Sequence, residues 1–521
     1  MKLQDILKSL CPYEISNPID QIDIKGIKYD SRDVKQGDLF ICVSGFKTDG
    51  HLYAETAVKQ GAVALLVERY IDGLDVTQIK VKDTRDVMAL VAARFYDYPS
   101  KKLGLIGVTG TNGKTTTTYL IKYILDSKYK VGLVGTIGNM IGDQRLSTNK
   151  TTPEAVDLQE IFCQMLTKNV TYGVMEVSSH ALALKRVVGS SFDVGVYSNL
   201  SQDHLDFHKT FEAYREAKGK LFEMIGKDKK DRPQYAVINK DDQNFEYFKS
   251  KCQVPVYTYG IDGDCDFKAK NVHVRDQGVS YDLEYPAFPM TDHRCVGSQK
   301  SEVVSQKETD LTTDHRPPTT ASISMNLKIT GLFNVYNSLA AFAVGYLEGV
   351  GIESIKESLE TASVPGRFES VDLNQDFTVI VDYAHTPDSL ENVLTSAKKF
   401  VKGRIITVFG CGGDRDRTKR PLMGEAVAKY SDYSIVTSDN PRSEEPETII
   451  KEILPGFDKL SAPYEVVLDR KEAIGRAVRM AETGDLVLIA GKGHETYQEI
   501  KGQRYPFDDR EIAKEFLSEL V

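Results

Sequence analysis

Short, uninterrupted apolar runs separated by segments of helical spacing recur along most of the chain. Residues 38–43, 62–67, 103–108, 131–134, 172–177, 193–197 and 235–238 are runs of this kind. They are too short for buried helices and are bounded by polar or glycine-bearing turns, so they predict strands covered on both faces. Between the first two, residues 51–60 read as a helix, and Leu120, Ile121, Ile124 and Leu125 fall on one helical face. The alternation returns at 378–381, 405–409, 433–436 and 486–489. A closing helix beginning near Asp508 is expected to place Ile512, Phe516 and Leu520 on one face. Strands alternating with helices predict an α/β fold built on largely parallel sheets.

Two stretches break the rhythm. Residues 98–102 form a polar joint around Pro99. Residues 286–324 are rich in Ser, Thr, Lys, Asp and Pro, with almost no periodicity, and predict a mobile surface insertion. His293, Cys295 and His315 lie there at a spacing that matches no metal-ligand pattern. At 521 residues the chain exceeds one ordinary core. The joint at 98–102 and the return of the alternation from about Pro365 divide it into units at 1–100, 101–363, which contains the insertion, and 364–521.

Composition narrows the function classes. Hydrophobic residues make up 41% and charged residues 27%, as in soluble globular proteins. The net charge of -9 argues against a nucleic-acid or anionic-membrane binder, but leaves a nucleotide ligand open. The start lacks the apolar stretch of a signal peptide, and no apolar run approaches the ~20 residues of a membrane span. Seven scattered cysteines without a Cys-x-x-Cys pair fit a reduced cytoplasm rather than a disulfide scaffold.

The apolar run at 103–108 passes directly into Gly110-Thr111-Asn112-Gly113-Lys114-Thr115, and Thr116 continues into the helical segment. Glycines let a backbone close around phosphate oxygens, Lys114 can neutralise them, and the Thr115 hydroxyl can hold Mg²⁺. The strict motif wants a glycine where Val108 stands, but the strand-to-helix setting favours a phosphate cradle over an ordinary glycine turn. The buried run at 172–177 carries Glu176, which suits either a magnesium ion beside that loop or a helix cap. Residues 198–208 concentrate Asn, Ser, Asp and His after another strand. In the last unit, residues 410–415, 438–442 and 491–495 each follow a strand's carboxyl end, the edge at which open α/β sheets bind ligands.

These segments together resemble the Mur ligases. The resemblance rests on the glycine loop, 175–180, Asn199-Leu200-Ser201 with Asp203-His204-Leu205-Asp206, and Asn334-Val335-Tyr336-Asn337. It extends to Gly366-Arg367, Asp382-Tyr383-Ala384-His385 and Asp439-Asn440-Pro441-Arg442. It covers nearly the whole chain outside 286–324. It implies a small N-terminal UDP-sugar-binding domain, a central P-loop ATP-binding domain and a C-terminal Rossmann-like, amino-acid-binding domain. The implied reaction adds the third amino acid of the peptidoglycan stem peptide. ATP phosphorylates the free carboxylate of UDP-N-acetylmuramoyl-L-alanyl-D-glutamate, and an amine attacks the acyl phosphate.

By the same resemblance, Gly110 to Thr116, Asn334, Arg367 and Asp382 would contact ATP. Thr115, Glu176, His204 and Lys218 would serve the magnesium site, Lys218 as a carbamate. Catalysis would rest on Lys114, Lys218 and His204. Ser31 would meet the UDP group, and Thr151, Thr152, Ser178 and Arg186 the muramoyl dipeptide. Arg415, Asp439, Asn440, Pro441, Arg442, Gly491 and Glu495 would form the pocket for the added residue. Arg442 suits meso-diaminopimelate, whose distal carboxylate gives a guanidinium a bidentate partner. Small-molecule partners, a monomer and a cytoplasmic location complete the expectation. A lysine-adding relative and a folylpolyglutamate synthase share the ATP core, but the Asp-Asn-Pro-Arg loop and the unit containing Ser31 argue against them. A P-loop ATPase driving motion or signalling would release phosphate without an acceptor, and a simple nucleotide-binding module would leave the C-terminal loops without a role.

Overall fold

The runs buried on both faces become the centres of three separate sheets. The computed structural model describes all residues except 9, 11, 20, 46, 47, 143, 147, 149, 276, 277, 288–319 and 521. The first sheet holds β1 (Glu14–Ile15), β2 (Gly26–Lys28), β3 (Asp38–Ile41), β4 (Ala64–Val67) and β5 (Thr77–Lys80), in the order β1-β5-β4-β3-β2. The 51–60 segment is a 3₁₀ turn, Gly50–Tyr53, followed by a helix, Ala54–Gln60. The polar joint at Pro99 is itself a short helix, Pro99–Lys102, with the proline in its first turn.

The middle sheet has eleven strands. They are β6 (Gly104–Thr109), β7 (Val131–Val134), β8 (Asn139–Ile141), β9 (Gln144–Leu146), β10 (Tyr172–Glu176) and β11 (Val194–Tyr197). The others are β12 (Tyr235–Asn239), β13 (Val256–Gly260), β14 (Phe267–Arg275), β15 (Gly278–Pro286) and β16 (Thr320–Leu327). The order is β16-β15-β14-β13-β12-β11-β6-β10-β7-β8-β9, so the strand leading into the glycine loop lies between β11 and β10, parallel to both. On one face, Leu120, Ile121, Ile124 and Leu125 of helix Lys114–Asp126 are fully buried under helix Leu332–Leu347. Each such side chain contributes about 1.5–3 kcal/mol by leaving water.

The structure corrects the reading of 286–324 as wholly insertion. Its first residue ends β15, and residues 320–324 belong to β16, with Pro286 paired to Thr320 in antiparallel register. Residues 288–319, with His293, Cys295 and His315, lie outside the described residues.

The third sheet runs β17 (Glu369–Ser370), β18 (Thr378–Asp382), β22 (Leu486–Ala490), β19 (Ile405–Phe409), β20 (Tyr433–Val436) and β21 (Tyr464–Val466), parallel apart from β17. A separate hairpin, β23 (Tyr497–Ile500) with β24 (Gln503–Pro506), follows it. The last helix, Asp509–Ser518, is capped by the Asp508 side chain and buries Ile512 and Phe516. Leu520 lies past its end and is 51% exposed, so it does not share that face.

Candidate functional site

The glycine loop takes the shape it does because two of its residues have no side chain. Gly110 has φ 152° and lies against Ser198 and Asn199, while Gly113 has φ 82° and lies against the Asn337 amide. A Cβ at either position would collide with these neighbours. Val108, where the strict motif has glycine, is inside β6 and fully buried, so the loop begins only after it. The segment after β11 holds the loop in place. The Asn199 side chain accepts the Asn112 amide at 2.9 Å, and Ser198 Oγ donates to the Asn112 carbonyl at 2.6 Å.

Lys114 folds back over the loop, donating to the carbonyls of Gly110 (3.0 Å) and Thr111 (2.8 Å). Lys218, on helix Phe211–Met224, is buried and donates to the same Gly110 carbonyl at 2.6 Å. Two amino groups thus converge on one oxygen. Burial, then the charge of Lys114, pushes the Lys218 ammonium well below its ordinary value, and burial lowers Lys114 too. Glu176, at the end of β10, receives Thr115 Oγ1 at 3.0 Å, the Thr136 amide at 2.8 Å and Thr136 Oγ1 at 3.0 Å. Thr136 was not anticipated from sequence, because nothing in its spacing ties it to β10. His204 is in the left-handed region at φ 55°, its Nε2 3.3 Å from Asp203 and its ring edge-on to His180. Desolvation within the cleft, with Lys218 and Lys114 nearby, lowers its imidazole below the ordinary value, while the side chain keeps 43% of its surface exposed.

The third domain closes over this loop. Arg367 donates to Thr115 Oγ1 at 3.0 Å and lies over the Tyr383 ring. Asp382, at the end of β18, accepts the Phe368 and Ala384 amides, both at 2.7 Å; burial raises its carboxyl and Arg367 opposes that shift. Asp388 receives the Asn112 amide nitrogen and, at 2.9 Å, Ser201 Oγ. Nothing in the sequence marks it, because its partners lie in another domain. Between the two domains is a cavity of about 760 Å³. Its walls include Thr111 to Thr116, Thr151, Glu176, Ser178, His204, Lys218, Arg367, Asp382 and Arg415. Among the described residues, no group of three His, Cys, Asp or Glu side chains is assembled to hold a metal.

Other expected residues stand behind or beyond this wall. Asn334 is buried, donating to the Thr330 carbonyl at 2.7 Å and accepting from Asn337. Thr152 Oγ1 donates to the Glu176 carbonyl, and Arg186 donates to the Thr152 carbonyl while pairing with Glu154 at 3.0 Å. Ser31 begins a 3₁₀ turn in the first domain, outside the cavity.

The three loops at the carboxyl edge of the third sheet meet one another. Asn440 donates to Glu495 at 2.7 Å, and Gly491, at φ 116°, lies against Asp439. Pro441 abuts Gly413. Arg442, at φ 53°, donates to the Gly413 carbonyl at 2.7 Å, with Glu499 at 3.6 Å from its Nε. Arg415 extends from the neighbouring loop toward the cavity.

A P-loop on an inner, parallel-paired strand of a mixed sheet, roofed by a second α/β domain that contributes an arginine to the loop, is the arrangement of a nucleotide-using ligase. Family models match three consecutive parts of the chain: "Mur ligase family, catalytic domain" at 23–96, "Mur ligase middle domain" at 108–345 and "Mur ligase, glutamate ligase domain" at 366–493. The chain is 47% identical to the UDP-N-acetylmuramoyl-L-alanyl-D-glutamate--2,6-diaminopimelate ligase of Syntrophomonas wolfei, over 99% of each chain. It is 46% identical to the protein of the same name from Clostridioides difficile, over 100% of each. A solved structure of a UDP-N-acetylmuramoyl-L-alanyl-D-glutamate--2,6-diaminopimelate ligase is 32% identical, with TM-score 0.64, covering 100% of this chain and 99% of that one. The chain belongs to the Mur ligase family, and it is an ATP-dependent ligase.

Proposed function

We propose that this enzyme joins meso-2,6-diaminopimelate to the D-glutamyl carboxylate of UDP-N-acetylmuramoyl-L-alanyl-D-glutamate, in peptidoglycan precursor synthesis. The observation that carries the choice of amine is Arg442, a guanidinium held on the Gly413 carbonyl at 2.7 Å beside Gly412, in the loop that also carries Asp439 and Asn440. A second carboxylate on the amine gives it a bidentate partner, which lysine does not bring.

On this reading the loop amides and Lys114 hold the ATP phosphates, and Arg367 reaches the γ-phosphate end from the third domain. Asn334 and Asp382 serve the nucleotide through the backbone they fix. The D-glutamyl carboxylate oxygen bonds to the γ-phosphorus as the bond to ADP breaks. The neutral amine then attacks the acyl carbon, the carbon–oxygen bond to phosphate breaks, and the amine proton passes to solvent. Domain closure keeps water from the acyl phosphate in between. Ser31 faces the UDP group, and Thr151, Thr152, Ser178 and Arg186 hold the dipeptide.

Magnesium, when bound, would neutralise phosphate oxygens. Thr115, Glu176, His204 and a carbamylated Lys218, which line one cavity, would hold it together with phosphate and water. The crowding of Lys114 and Lys218 on one carbonyl supports the carbamate, because a neutral Lys218 amine can add to carbon dioxide, lose a proton and become anionic. The ligands on this reading are small molecules rather than nucleic acid or membrane, and the enzyme works as a cytoplasmic monomer. Among the described residues, no helix is long and apolar enough to cross a membrane.

ADP release, measured with the UDP-dipeptide and a panel of amino acids, tests the assignment. The expected result is turnover only when both acceptor and amine are present. kcat/KM for meso-diaminopimelate should exceed that for lysine by ~10²-fold or more. A preference for lysine would overturn it.

A further inference from the structure

Lys492 is a fully buried lysine, at 0% exposure, in the loop between Gly491 and Glu495. Its Nζ makes three hydrogen bonds: to Asn440 Oδ1 at 3.1 Å, Glu495 Oε2 at 3.1 Å and the Tyr497 carbonyl at 2.5 Å. An ammonium has three donors, and all three are used.

The consequences spread to both neighbours. Asn440 Oδ1 also accepts the Glu499 amide at 2.9 Å, which fixes its oxygen toward Lys492 and its nitrogen toward Glu495 Oε2, at 2.7 Å. Glu495 Oε2 thus receives two donors, while Oε1 has no hydrogen-bond partner among the described residues. One carboxylate oxygen is anchored and the other is left to be offered. The hairpin carrying Tyr497 clamps the facing loop as well. Gln498 donates to the Asp439 carbonyl at 2.7 Å, the Arg442 amide donates to the Glu499 carbonyl at 3.0 Å, and the Lys501 amide donates to the Arg442 carbonyl at 2.6 Å. These bonds hold Arg442 in its left-handed conformation, which costs a non-glycine residue about 1 kcal/mol or more.

We infer that Lys492 is a positioning residue for the amine substrate, acting through Asn440 and Glu495 so that Glu495 Oε1 and the Arg442 guanidinium face the amine's charged groups. The inference rests on the amine-binding role proposed above for this pocket. An apolar side chain of similar length fills the same space but leaves the Asn440 oxygen, the Glu495 carboxylate and the Tyr497 carbonyl without this donor, so the test reads substrate specificity as well as folding.

The test is Lys492→Met, with each of the three substrates varied in turn, using the amine that the wild-type enzyme accepts. The expected result is a rise of about tenfold or more in KM for the amine, with KM for ATP and for the UDP-dipeptide within about twofold of wild type. The kcat/KM preference for diaminopimelate over lysine should fall about fivefold or more. Gln498→Ala, which loosens the same loop without touching the buried cation, should raise the amine KM by roughly threefold. A folded Lys492→Met enzyme with unchanged amine KM, or with all three KM values shifted alike, overturns the inference. Should that variant not fold, an unchanged amine KM in Lys492→Gln, which keeps a donor but cannot make all three bonds, does so. A wild-type enzyme that accepts no amine counts against the function proposed above, and not against the placement of Lys492.

Discussion

The Gly110 carbonyl has two amino groups on it, Lys114 at 3.0 Å and Lys218 at 2.6 Å, and that crowding is informative only because Lys218 is buried. An exposed pair would separate into water; a buried pair either loses a proton or is modified. If Lys218 carries the proposed carbamate, Lys218→Ala is expected to lower kcat by about 10²-fold or more, because the carboxylate that would hold the magnesium ion is lost. A short carboxylic acid added to the assay should restore part of it, and full activity in the unrescued variant would remove the carbamate from the account. The glycine loop was legible in sequence because its function is local, in consecutive residues with fixed chemistry. Thr136, Asp388 and Lys492 were not, since their partners are brought to them by folding.

Strands separate by the way they are buried. β6, β10, β11 and β12 are covered on both faces and read as continuous apolar runs, which is why their positions were readable to within a residue or two. β14, β15 and β16 form the antiparallel end of the same sheet and alternate between buried and more exposed positions. Their polar side chains made residues 320–324 look like loop. The pairing of Pro286 with Thr320 brings the ends of the intervening segment together across one strand spacing. Replacing residues 288–319 with a short glycine-containing turn is therefore expected to leave ADP release near wild type, with thermal unfolding showing one retained transition. Failure of the shortened chain to fold would give that segment a structural part. The closing helix shows the limit of periodicity. The sequence spacing continued to Leu520, but the helix ends at Ser518.

At the scale of the molecule, the first two domains are joined through Glu154. Its carboxylate meets Lys150 at 2.8 Å, Arg186 at 3.0 Å and, from the first domain, Arg85 at 3.5 Å. Burial pushes this carboxyl up, but Arg186, Lys150 and Arg85 together hold it below its ordinary value. Glu154→Gln should release Arg186 and raise KM for the UDP-dipeptide by about tenfold, with KM for ATP within about twofold. Equal changes in both would show general loosening instead. None of this network was visible in sequence, because three cations from two domains share one buried acid only after the domains dock.

The central strand order also bears on how the protein is made. The apolar face of the helix after the glycine loop is covered by helix Leu332–Leu347, so it has no lid when it leaves the ribosome. Roughly two hundred residues must still be added, which takes about 10–40 s at ~5–20 residues per second. During that interval Leu120, Ile121, Ile124 and Leu125 are a sticky surface on a nascent chain. The nucleotide site is thus among the last parts of the central domain to be completed during synthesis.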